Sequence, residues 1–179
     1  AQFAQSMNLL PPAYVEALEL LIREMPPKPA HVVRHILERE LGPPELNFRS
    51  FDADGCLGAG TIGQVHQAVL HSGQEVVVKI QYPETKSCLG PDLAIISLLA
   101  RLWPDESNRD QFYEHMDQLR DELNFEREAR SMLHIGHALR PVLSEVVVPE
   151  PIARLQSENV LVLTRVPGVT LHEHTRALL

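Results

Sequence analysis

Apolar residues recur at three- and four-residue steps in the first quarter of the chain. This spacing predicts one helix from Pro11 to Met25 and a second from about Ala30 to Leu41, with Gly42 as the residue that ends it. Because both helices have a strongly apolar face, we expect them to pack on a larger body. A docking groove for a partner is the alternative.

Residues 46 to 81 show the two-residue period of strands instead. The pattern predicts a strand over about Leu46 to Leu57, a second one after Gly63 and a third that ends in Val76-Val77-Val78-Lys79. The Ser72-Gly73 pair indicates a tight turn between the second and third strands, so we expect the strands to run antiparallel.

Helical periodicity returns after residue 90. One helix is predicted from about Pro91 to Trp103 and a long one from about Asn108 to Leu139. Short strands are predicted at 146–148, 152–155 and 160–163, and a last helix near Leu171. This order predicts an α+β fold, namely the antiparallel five-stranded sheet and long C-type helix of a protein-kinase N-lobe, with extra N-terminal helices and an inserted helix.

Composition and charge exclude some classes of function. The 179 residues can form one domain or one and a half, and the net charge of −8 argues against a nucleic-acid surface. Cys56 and Cys88 are too few for a disulfide framework, so a reducing compartment is the default. No run reaches the roughly 18 apolar residues of a membrane span. The chain lacks an initiator methionine, which suggests a fragment.

A glycine-rich stretch carries the candidate chemistry. Gly58, Gly60 and Gly63 stand in the order G-x-G-x-x-G, which lets the backbone approach a phosphate group closely because no Cβ intervenes. In dinucleotide-binding folds the last glycine opens a helix, whereas here β-branched residues and a turn follow. This is typical of a protein-kinase loop, with Lys79 as the lysine that pairs with the phosphates. A flexible turn beside a solvated lysine is the alternative.

Scattered histidines raise the question of a metal site. No pair of them has zinc-finger spacing with Cys56 or Cys88, and a His-x-x-His pattern alone is weak evidence. We interpret the histidines as surface residues or as hydrogen-bonded core residues, and we predict no metal ligand in this chain.

Three runs of sequence resemble one family. They are Gly-Thr-Ile-Gly-Gln-Val-His at 60–66, Val-Lys-Ile-Gln-Tyr-Pro at 78–83 and Glu-Leu-Asn-Phe-Glu-Arg-Glu-Ala at 122–129, and they look like the UbiB/ADCK family of atypical kinase-like proteins. The resemblance implies binding of ATP or ADP with Mg²⁺ and an ATPase or small-molecule kinase activity. It also implies a link to ubiquinone or other prenyl-lipid metabolism, with membrane-associated lipid-biosynthesis proteins as partners.

The resemblance further implies roles for single residues. Lys79 would contact the nucleotide phosphates and Glu128 would hold that lysine, while Val65 and Val77 would enclose the adenine. The expected phosphate loop, gatekeeper and hinge residues are Gly58, Ala59, Gly60, Thr61 and Gly63, then Leu163, Thr164, Arg165 and Val166. Without a nucleotide site, Val65, Val77 and Leu163 are ordinary core residues of such a sheet.

The phosphate loop departs from the family pattern. The family's loop is rich in alanine, whereas Gly58 and Gly60 stand here. Because glycine makes the loop more like that of an ordinary kinase, we expect a changed mode of nucleotide binding.

A second departure concerns two charged motifs. The family's Lys-x-Gly-Gln motif corresponds to residues 2–5, from Gln2 to Gln5, and its Glu-x-Asp motif to Glu122-Leu123-Asn124. Because loss of both charges of a buried pair can be nearly neutral, we expect Gln2 and Asn124 to hydrogen-bond instead. Truncation or divergence at the first residues is the alternative. Asn124 is expected on one helical face with Glu128, and Glu122 off that face.

The expected organisation is an N-terminal helical extension over 1–44, a kinase-like N-lobe over 45–168 and the start of a C-lobe over 169–179. The base and the Mg²⁺ ligands are expected in the C-lobe, so this chain holds half of an active site. We expect the adenine-nucleotide-binding lobe of an atypical kinase or ATPase, in the bacterial cytoplasm or a mitochondrion or plastid, at the membrane periphery. The alternative class is a non-catalytic interaction or regulatory module.

Overall fold

A computed structural model describes residues 26–60, 62–101, 109–110, 112–114, 123–143 and 145–168. The helices predicted from Pro11 to Met25 and near Leu171 lie outside these residues. Four residues of the predicted site also lie outside them, namely Gln2, Gln5, Thr61 and Glu122.

Five antiparallel strands form one sheet in the order β1-β2-β3-β5-β4. The strands are β1 (Phe48–Ala59), β2 (Gly63–Leu70), β3 (Glu75–Gln81), β4 (Pro151–Gln156) and β5 (Val160–Thr164). Around the sheet lie helices α1 (Ala30–Leu41), α2 (Pro44–Asn47), α3 (Pro83–Ala100) and α4 (Phe125–Leu139). This arrangement, with α4 between β3 and β4 along the chain, confirms the predicted α+β fold of a kinase N-lobe.

Both faces of the sheet are covered. Successive side chains of β3 and β5 point to opposite faces and therefore enter two different hydrophobic cores. The core on the α1 side includes Val33, Ile36, Leu37, Val76, Val78, Ile80, Val160 and Val162. The core on the α4 side includes Phe125, Ala129, Leu161 and Leu163. Apolar burial on both faces is the main term that stabilises the lobe.

Helix α1 has the predicted bounds and ends at Gly42. Gly42 has φ 79°, in the left-handed region that glycine adopts without strain, and its N–H donates to the Glu38 carbonyl at 2.9 Å. In the same last turn, the Glu40 carboxylate accepts hydrogen bonds from Ser157 Oγ at 2.8 Å and from Asn159 Nδ2 at 3.0 Å. These contacts tie the end of α1 to the turn between β4 and β5.

The environment of Glu40 favours its charged form. Burial disfavours the carboxylate, but the hydrogen bonds from Asn159 and Ser157 and the neighbouring Arg39 outweigh that effect and lower the pKa of Glu40. The attachment of α1 to the β4–β5 turn is therefore a charge-assisted contact at neutral pH.

The inserted helix begins earlier than predicted. We predicted a start at Pro91, whereas α3 begins at Pro83, ends at Ala100 and contains Pro91 in its interior. Proline suits the first position of a helix, and Glu84 in the first turn favours this start through the helix dipole. Pro91 removes one intrahelical N–H donor but does not end the helix.

The predicted helix from Asn108 to Leu139 is not continuous. Leu123 lies in a turn and Asn124 has an extended backbone, with φ −120° and ψ 96°, so that α4 begins only at Phe125. The apolar stripe continues through this break, and periodicity alone therefore could not show it. Residues 109–110 and 112–114 are helical as predicted.

Two strand predictions also need correction. β1 begins at Phe48 rather than Leu46, because α2 occupies the preceding residues and Asn47 Nδ2 donates to the Leu41 carbonyl at 2.9 Å. Residues 146–148 form no strand, and β4 begins only at Pro151. Residues 146–148 run beside α4 rather than beside a strand, and a Cβ at Gly136 would lie 3.6 Å from the Val148 side chain.

Candidate functional site

Lys79 of β3 and Glu128 of α4 form a bidentate ion pair. The Lys79 Nζ lies 2.8 Å from Oε1 and 2.7 Å from Oε2 of Glu128, although 49 positions separate the two residues in sequence. The same ammonium group lies 4.7 Å from the centre of the Phe125 ring, a cation–π contact. Both charged side chains keep a little over a quarter of their surface exposed, 29% for Lys79 and 28% for Glu128.

Asn124 positions the first turn of α4, which carries both partners of Lys79. Its Oδ1 accepts a hydrogen bond from the Arg127 N–H at 3.0 Å, and its carbonyl accepts one from the Glu128 N–H at 3.0 Å. Asn124 is thus the N-cap of α4, with an extended backbone, so it lies at the start of the helix and not in the interior of a longer one as predicted. The expected hydrogen bond to Gln2 lies outside the described residues.

The glycine-rich stretch at positions 58–63, which we call the glycine loop, joins β1 to β2 in a tight hairpin. The Gly60 N–H donates to the Gly63 carbonyl at 2.8 Å, and the Tyr82 N–H donates to the Ile62 carbonyl at 2.9 Å. A Cβ at Gly63 would lie 2.3 Å from the Ile80 carbonyl oxygen, so only glycine fits there. A Cβ at Gly58 or Gly60 would meet nothing within 4 Å.

The expected adenine-enclosing residues lie on the sheet face that carries Lys79. Val65 is opposite Lys79 in the β2–β3 pair, and Val77 is opposite Leu163 in the β3–β5 pair. Residues directly opposite each other in an antiparallel pair share a face, so these four side chains point to the same side of the sheet. Val65 and Val77 are half-buried, and Leu163 is buried.

The hinge residues differ in which backbone groups are already engaged. The Thr164 N–H donates to the Glu150 carbonyl at 2.9 Å, and the Arg165 N–H donates to the Glu75 carbonyl at 3.2 Å. The Arg165 guanidinium also pairs with the Glu75 carboxylate at 2.9 Å. Val166 is 41% exposed, and no hydrogen bond among the described residues engages its backbone. Of these three residues, Val166 is therefore the one whose N–H is not engaged by another described residue.

Sequence reasoning missed two residues of this face. Phe125 is completely buried under Lys79, and its only sequence signal was an aromatic residue next to the Glu-x-Asp-like run. Gln81 follows Lys79 by two positions on the same face and is also completely buried. Neither side-chain atom of Gln81, Oε1 or Nε2, has a hydrogen-bond partner in the described part of the chain.

The described residues fit the phosphates of a nucleotide better than they fit its metal ion. Lys79 and the glycine loop supply a cation and a close-approaching backbone, which are the groups that hold phosphates in kinases. Within the ranges that the structure describes, no cluster of three His, Cys, Asp or Glu residues could hold a metal ion. No described helix is long and apolar enough to cross a membrane.

A cavity of about 400 Å³ lies elsewhere, between the second half of α4 and residues 146–150. Met132, Leu133 and Gly136 line it from the helix. Arg140 and Glu150 form an ion pair at its edge, with 2.7 Å between Nη2 and Oε1. The cavity is on the part of α4 that lies after Glu128 in sequence, so it does not include the Lys79–Glu128 pair.

Known proteins match this chain over most of its length. AarF domain-containing protein kinase 1 of Mus musculus is 33% identical over 166 residues, which cover 89% of this chain and 31% of that protein. A probable protein kinase UbiB of Aliivibrio fischeri is 31% identical over 185 residues, covering 96% of this chain and 34% of that protein. The chain thus spans about a third of the length of these curated relatives.

A solved structure shows the same fold. The Mycobacterium tuberculosis protein Rv3197, in a complex with erythromycin, matches with a TM-score of 0.63 and 26% identity, covering 98% of this chain and 45% of that chain. The family model of the ABC1 atypical kinase-like domain matches residues 20–178. With its kinase-like sheet, its Lys79–Glu128 pair and this match, the chain belongs to the ABC1 atypical kinase-like family, whose relatives include AarF-domain kinases and UbiB.

Proposed function

We propose that this chain binds an adenine nucleotide, with the phosphates between the glycine loop and Lys79 and the adenine between Val65, Val77 and the hinge at Val166. In this proposal the chain is the nucleotide-binding lobe of an ATPase or small-molecule kinase of the UbiB/ADCK type. The link to ubiquinone or other prenyl-lipid metabolism rests on the family resemblance alone.

The bidentate contact between Lys79 and Glu128 carries the proposal. Both Glu128 oxygens lie on the same side of the Lys79 ammonium group, at 2.8 and 2.7 Å, so at least one of its three tetrahedral N–H donors is directed away from Glu128. Such a donor can bond a phosphate oxygen. With the Phe125 ring on another side of the ammonium group, Lys79 has a fixed direction before any ligand arrives, which lowers the entropic cost of binding.

The loop geometry supports the same site. Gly63 holds the end of the loop tightly against β3, while Gly58 and Gly60 leave open space around the loop backbone. Backbone N–H groups in such a loop can approach phosphate oxygens without interference from side chains. Mg²⁺, when bound, would neutralise charge on the phosphates, and its protein ligands are expected outside the described residues.

Calorimetric titration of the wild-type chain with MgADP and MgATP tests this function. We expect saturable binding that weakens at least about tenfold in Lys79→Met, because the phosphates lose their only cation in β3. The matched control is Arg154→Met, which removes an exposed cation from β4 on the far edge of the sheet and should leave the affinity unchanged. Equal affinity in wild type and Lys79→Met would place the nucleotide elsewhere.

The second candidate function is a non-catalytic interaction module, and one observation favours it. Six large apolar residues at and after the second half of α4 are 48–76% exposed, which is unusual for a surface without a partner. They are Leu133, Ile135, Val142, Leu143, Val146 and Val147. A wild-type chain that is folded but binds neither MgADP nor MgATP would favour this candidate over the first.

A further inference from the structure

The side-chain amide of Gln64 is completely buried and fully hydrogen-bonded. Its Oε1 accepts from the Lys28 N–H at 2.7 Å and from the Tyr82 hydroxyl at 2.7 Å. Its Nε2 donates to the Lys28 carbonyl at 3.3 Å and lies 2.7 Å from His66 Nε2. Gln64 therefore pairs with both backbone groups of Lys28 as a neighbouring strand would, although the two residues are 36 positions apart.

Lys28 is held by its side chain as well. Its ammonium group pairs with Glu84 in the first turn of α3 and lies 4.7 Å from the centre of the Tyr82 ring. Residues 26–29 lead directly into α1. The segment before α1 is thus fixed to β2, to the residue after β3 and to α3 at a single point.

This point of attachment is next to the glycine loop. Gln64 follows Gly63, whose backbone is pressed against the Ile80 carbonyl, and Tyr82 donates its N–H to Ile62 within the loop. A shift of the Gln64 or Tyr82 backbone would act directly on the end of the loop, because Gln64 is bonded to Gly63 and the Tyr82 N–H donates to the Ile62 carbonyl. The hydrogen bonds that hold the Lys28 backbone on Gln64, which we call the seating of Lys28, and the position of the glycine loop are therefore geometrically linked.

The Lys28 N–H fixes the orientation of the Gln64 amide, and this orientation determines the tautomer of His66. The Lys28 N–H can only donate, so it requires Oε1 of Gln64 on its side, which turns Nε2 towards His66. His66 Nε2 must then accept, and Nδ1 must carry the proton that it donates to the Asp52 carbonyl at 2.9 Å. The carbonyl can only accept, so both ends of the chain of hydrogen bonds require the same neutral tautomer of His66.

We propose that Gln64 is a positioning residue that couples the seating of the Lys28 segment to nucleotide binding at the glycine loop, and that neutral His66 holds it in the binding-competent orientation. A proton on His66 Nε2 would oppose the Gln64 amide donors. Rotation of the amide to relieve this would turn its donors against the Lys28 N–H. The inference rests on the proposed function, because the ligand of the loop is the adenine nucleotide of that proposal.

The surroundings of His66 agree with a neutral ring. Burial lowers the pKa of His66, and this outweighs the raising effect of the Asp52 carbonyl and of the Asp52 and Asp54 charges on β1. Cys56 of β1 is directly opposite His66 in the β1–β2 pair. Tyr82 and Lys28 face His66 through Gln64, and Lys28 is paired with Glu84. The Phe51 ring, 5.7 Å from His66, completes the enclosure.

The test combines two measurements on the whole chain, hydrogen exchange of the Lys28 backbone amide and calorimetric affinity for MgADP. In the wild type we expect MgADP to slow exchange at Lys28, because coupling between two sites is reciprocal. In Gln64→Met we expect exchange at Lys28 about tenfold faster and MgADP affinity several-fold weaker. Lys79→Met should lose affinity while leaving Lys28 protected in the nucleotide-free chain.

A pH series supplies a readout that a merely structural role would not move. Between about pH 7.5 and about pH 5.5, MgADP affinity should fall more steeply in the wild type than in His66→Asn, which keeps a donor to Asp52 but cannot titrate. This comparison of the wild type with His66→Asn still tests the coupling if Gln64→Met does not fold. Because the nucleotide titrates equally in both chains, the difference belongs to His66.

The outcomes separate this inference from the function on which it rests. Failure of the wild type to bind MgADP at pH 7.5 would overturn the proposed function and the coupling together. Wild-type binding with unchanged affinity in Gln64→Met, or with identical pH profiles for wild type and His66→Asn, would overturn the coupling and leave the proposed function standing.

Discussion

Gly63 of β2 lies so close to Ile80 of β3 that a Cβ at position 63 would be 2.3 Å from the Ile80 carbonyl oxygen. The neighbouring atom is backbone and cannot rotate away, in contrast to the far end of a flexible side chain. The last glycine of the loop is therefore required by packing between two strands, independently of any ligand.

The first prediction compares two glycines of this loop. Gly63→Ala should lower the free energy of unfolding by about 1–3 kcal/mol, because the added Cβ forces β2 and β3 apart. Gly60→Ala, whose Cβ meets nothing within 4 Å, should change it by no more than about 0.5 kcal/mol. Urea denaturation of both variants measures the difference, and equal stabilities would contradict the packing argument.

Gly60→Ala also tests the departure from the alanine-rich loop of the family. We expect its MgADP and MgATP affinities to differ from those of the wild type, since the loop backbone is less free to adapt to phosphates. Because we expect Gly60→Ala to be as stable as the wild type, a change in affinity would not reflect unfolding. Unchanged affinities for both nucleotides would contradict the hypothesis that the glycines alter the mode of binding.

The second prediction concerns the cap of α4. Asn124→Ala should lower the free energy of unfolding by about 1 kcal/mol, because the Arg127 N–H loses its acceptor. Asn124→Asp keeps an acceptor at the N-terminus of the helix and should be neutral or slightly stabilising through the helix dipole. Thermal unfolding distinguishes the two, and a loss of stability in Asn124→Asp equal to that in Asn124→Ala would contradict the capping role.

The third prediction concerns stability against pH. Burial lowers the pKa of His66 below its usual value of 6.5 in the folded chain, so the unfolded chain takes up the proton first as pH falls. Stability from His66 is therefore complete above about pH 6.5 and decreases below it, by at most about 1.4 kcal/mol per pH unit, until the folded pKa is reached.

Urea denaturation at several pH values measures this dependence. His66→Asn should remove that part of the slope, whereas His134→Asn, at an exposed position of α4, should retain it. If stability fell equally steeply with pH in the wild type and in His66→Asn, burial would not be what keeps His66 neutral in the folded chain.

The fourth prediction uses two buried glutamines with opposite surroundings. Gln81 has no hydrogen-bond partner among the described residues, so Gln81→Met removes two unpaired polar atoms and should raise the free energy of unfolding by up to about 1 kcal/mol. Gln64→Met removes a fully hydrogen-bonded amide and leaves the backbone N–H and carbonyl of Lys28 without their partner, which should cost about 1–3 kcal/mol. Chemical denaturation compares them, and a destabilised Gln81→Met would show that its amide has a partner.

Local pattern was sufficient for much of the fold. The period of α1 and its glycine end, the alternation in β2 and β3 and the apolar run of β5 all depend on neighbours within a few residues, and each was predicted close to its observed bounds. The errors lie where two local signals compete. Pro83 and Pro91 are equally good helix starts, and the cap at Asn124 interrupts an apolar stripe that itself shows no gap.

The candidate site was predictable only in part, for the same reason. The glycine order and a lysine at the end of a strand are local signals, and the family resemblance pointed to Glu128. The position of Phe125 beneath Lys79 and the pairing of Lys28 with Gln64 join residues tens of positions apart. Such contacts follow from how the elements pack in three dimensions, and no short pattern in the sequence encodes them.

The cover that α1 provides has a practical consequence for anyone who wishes to express this lobe alone. A fragment starting at residue 45, the expected boundary of the kinase-like part, would leave the row of Val76, Val78 and Ile80 facing water. Such a fragment should aggregate or require a detergent. A useful expression boundary lies before Lys28, so that the fragment keeps both α1 and the hydrogen bonds between Lys28 and Gln64.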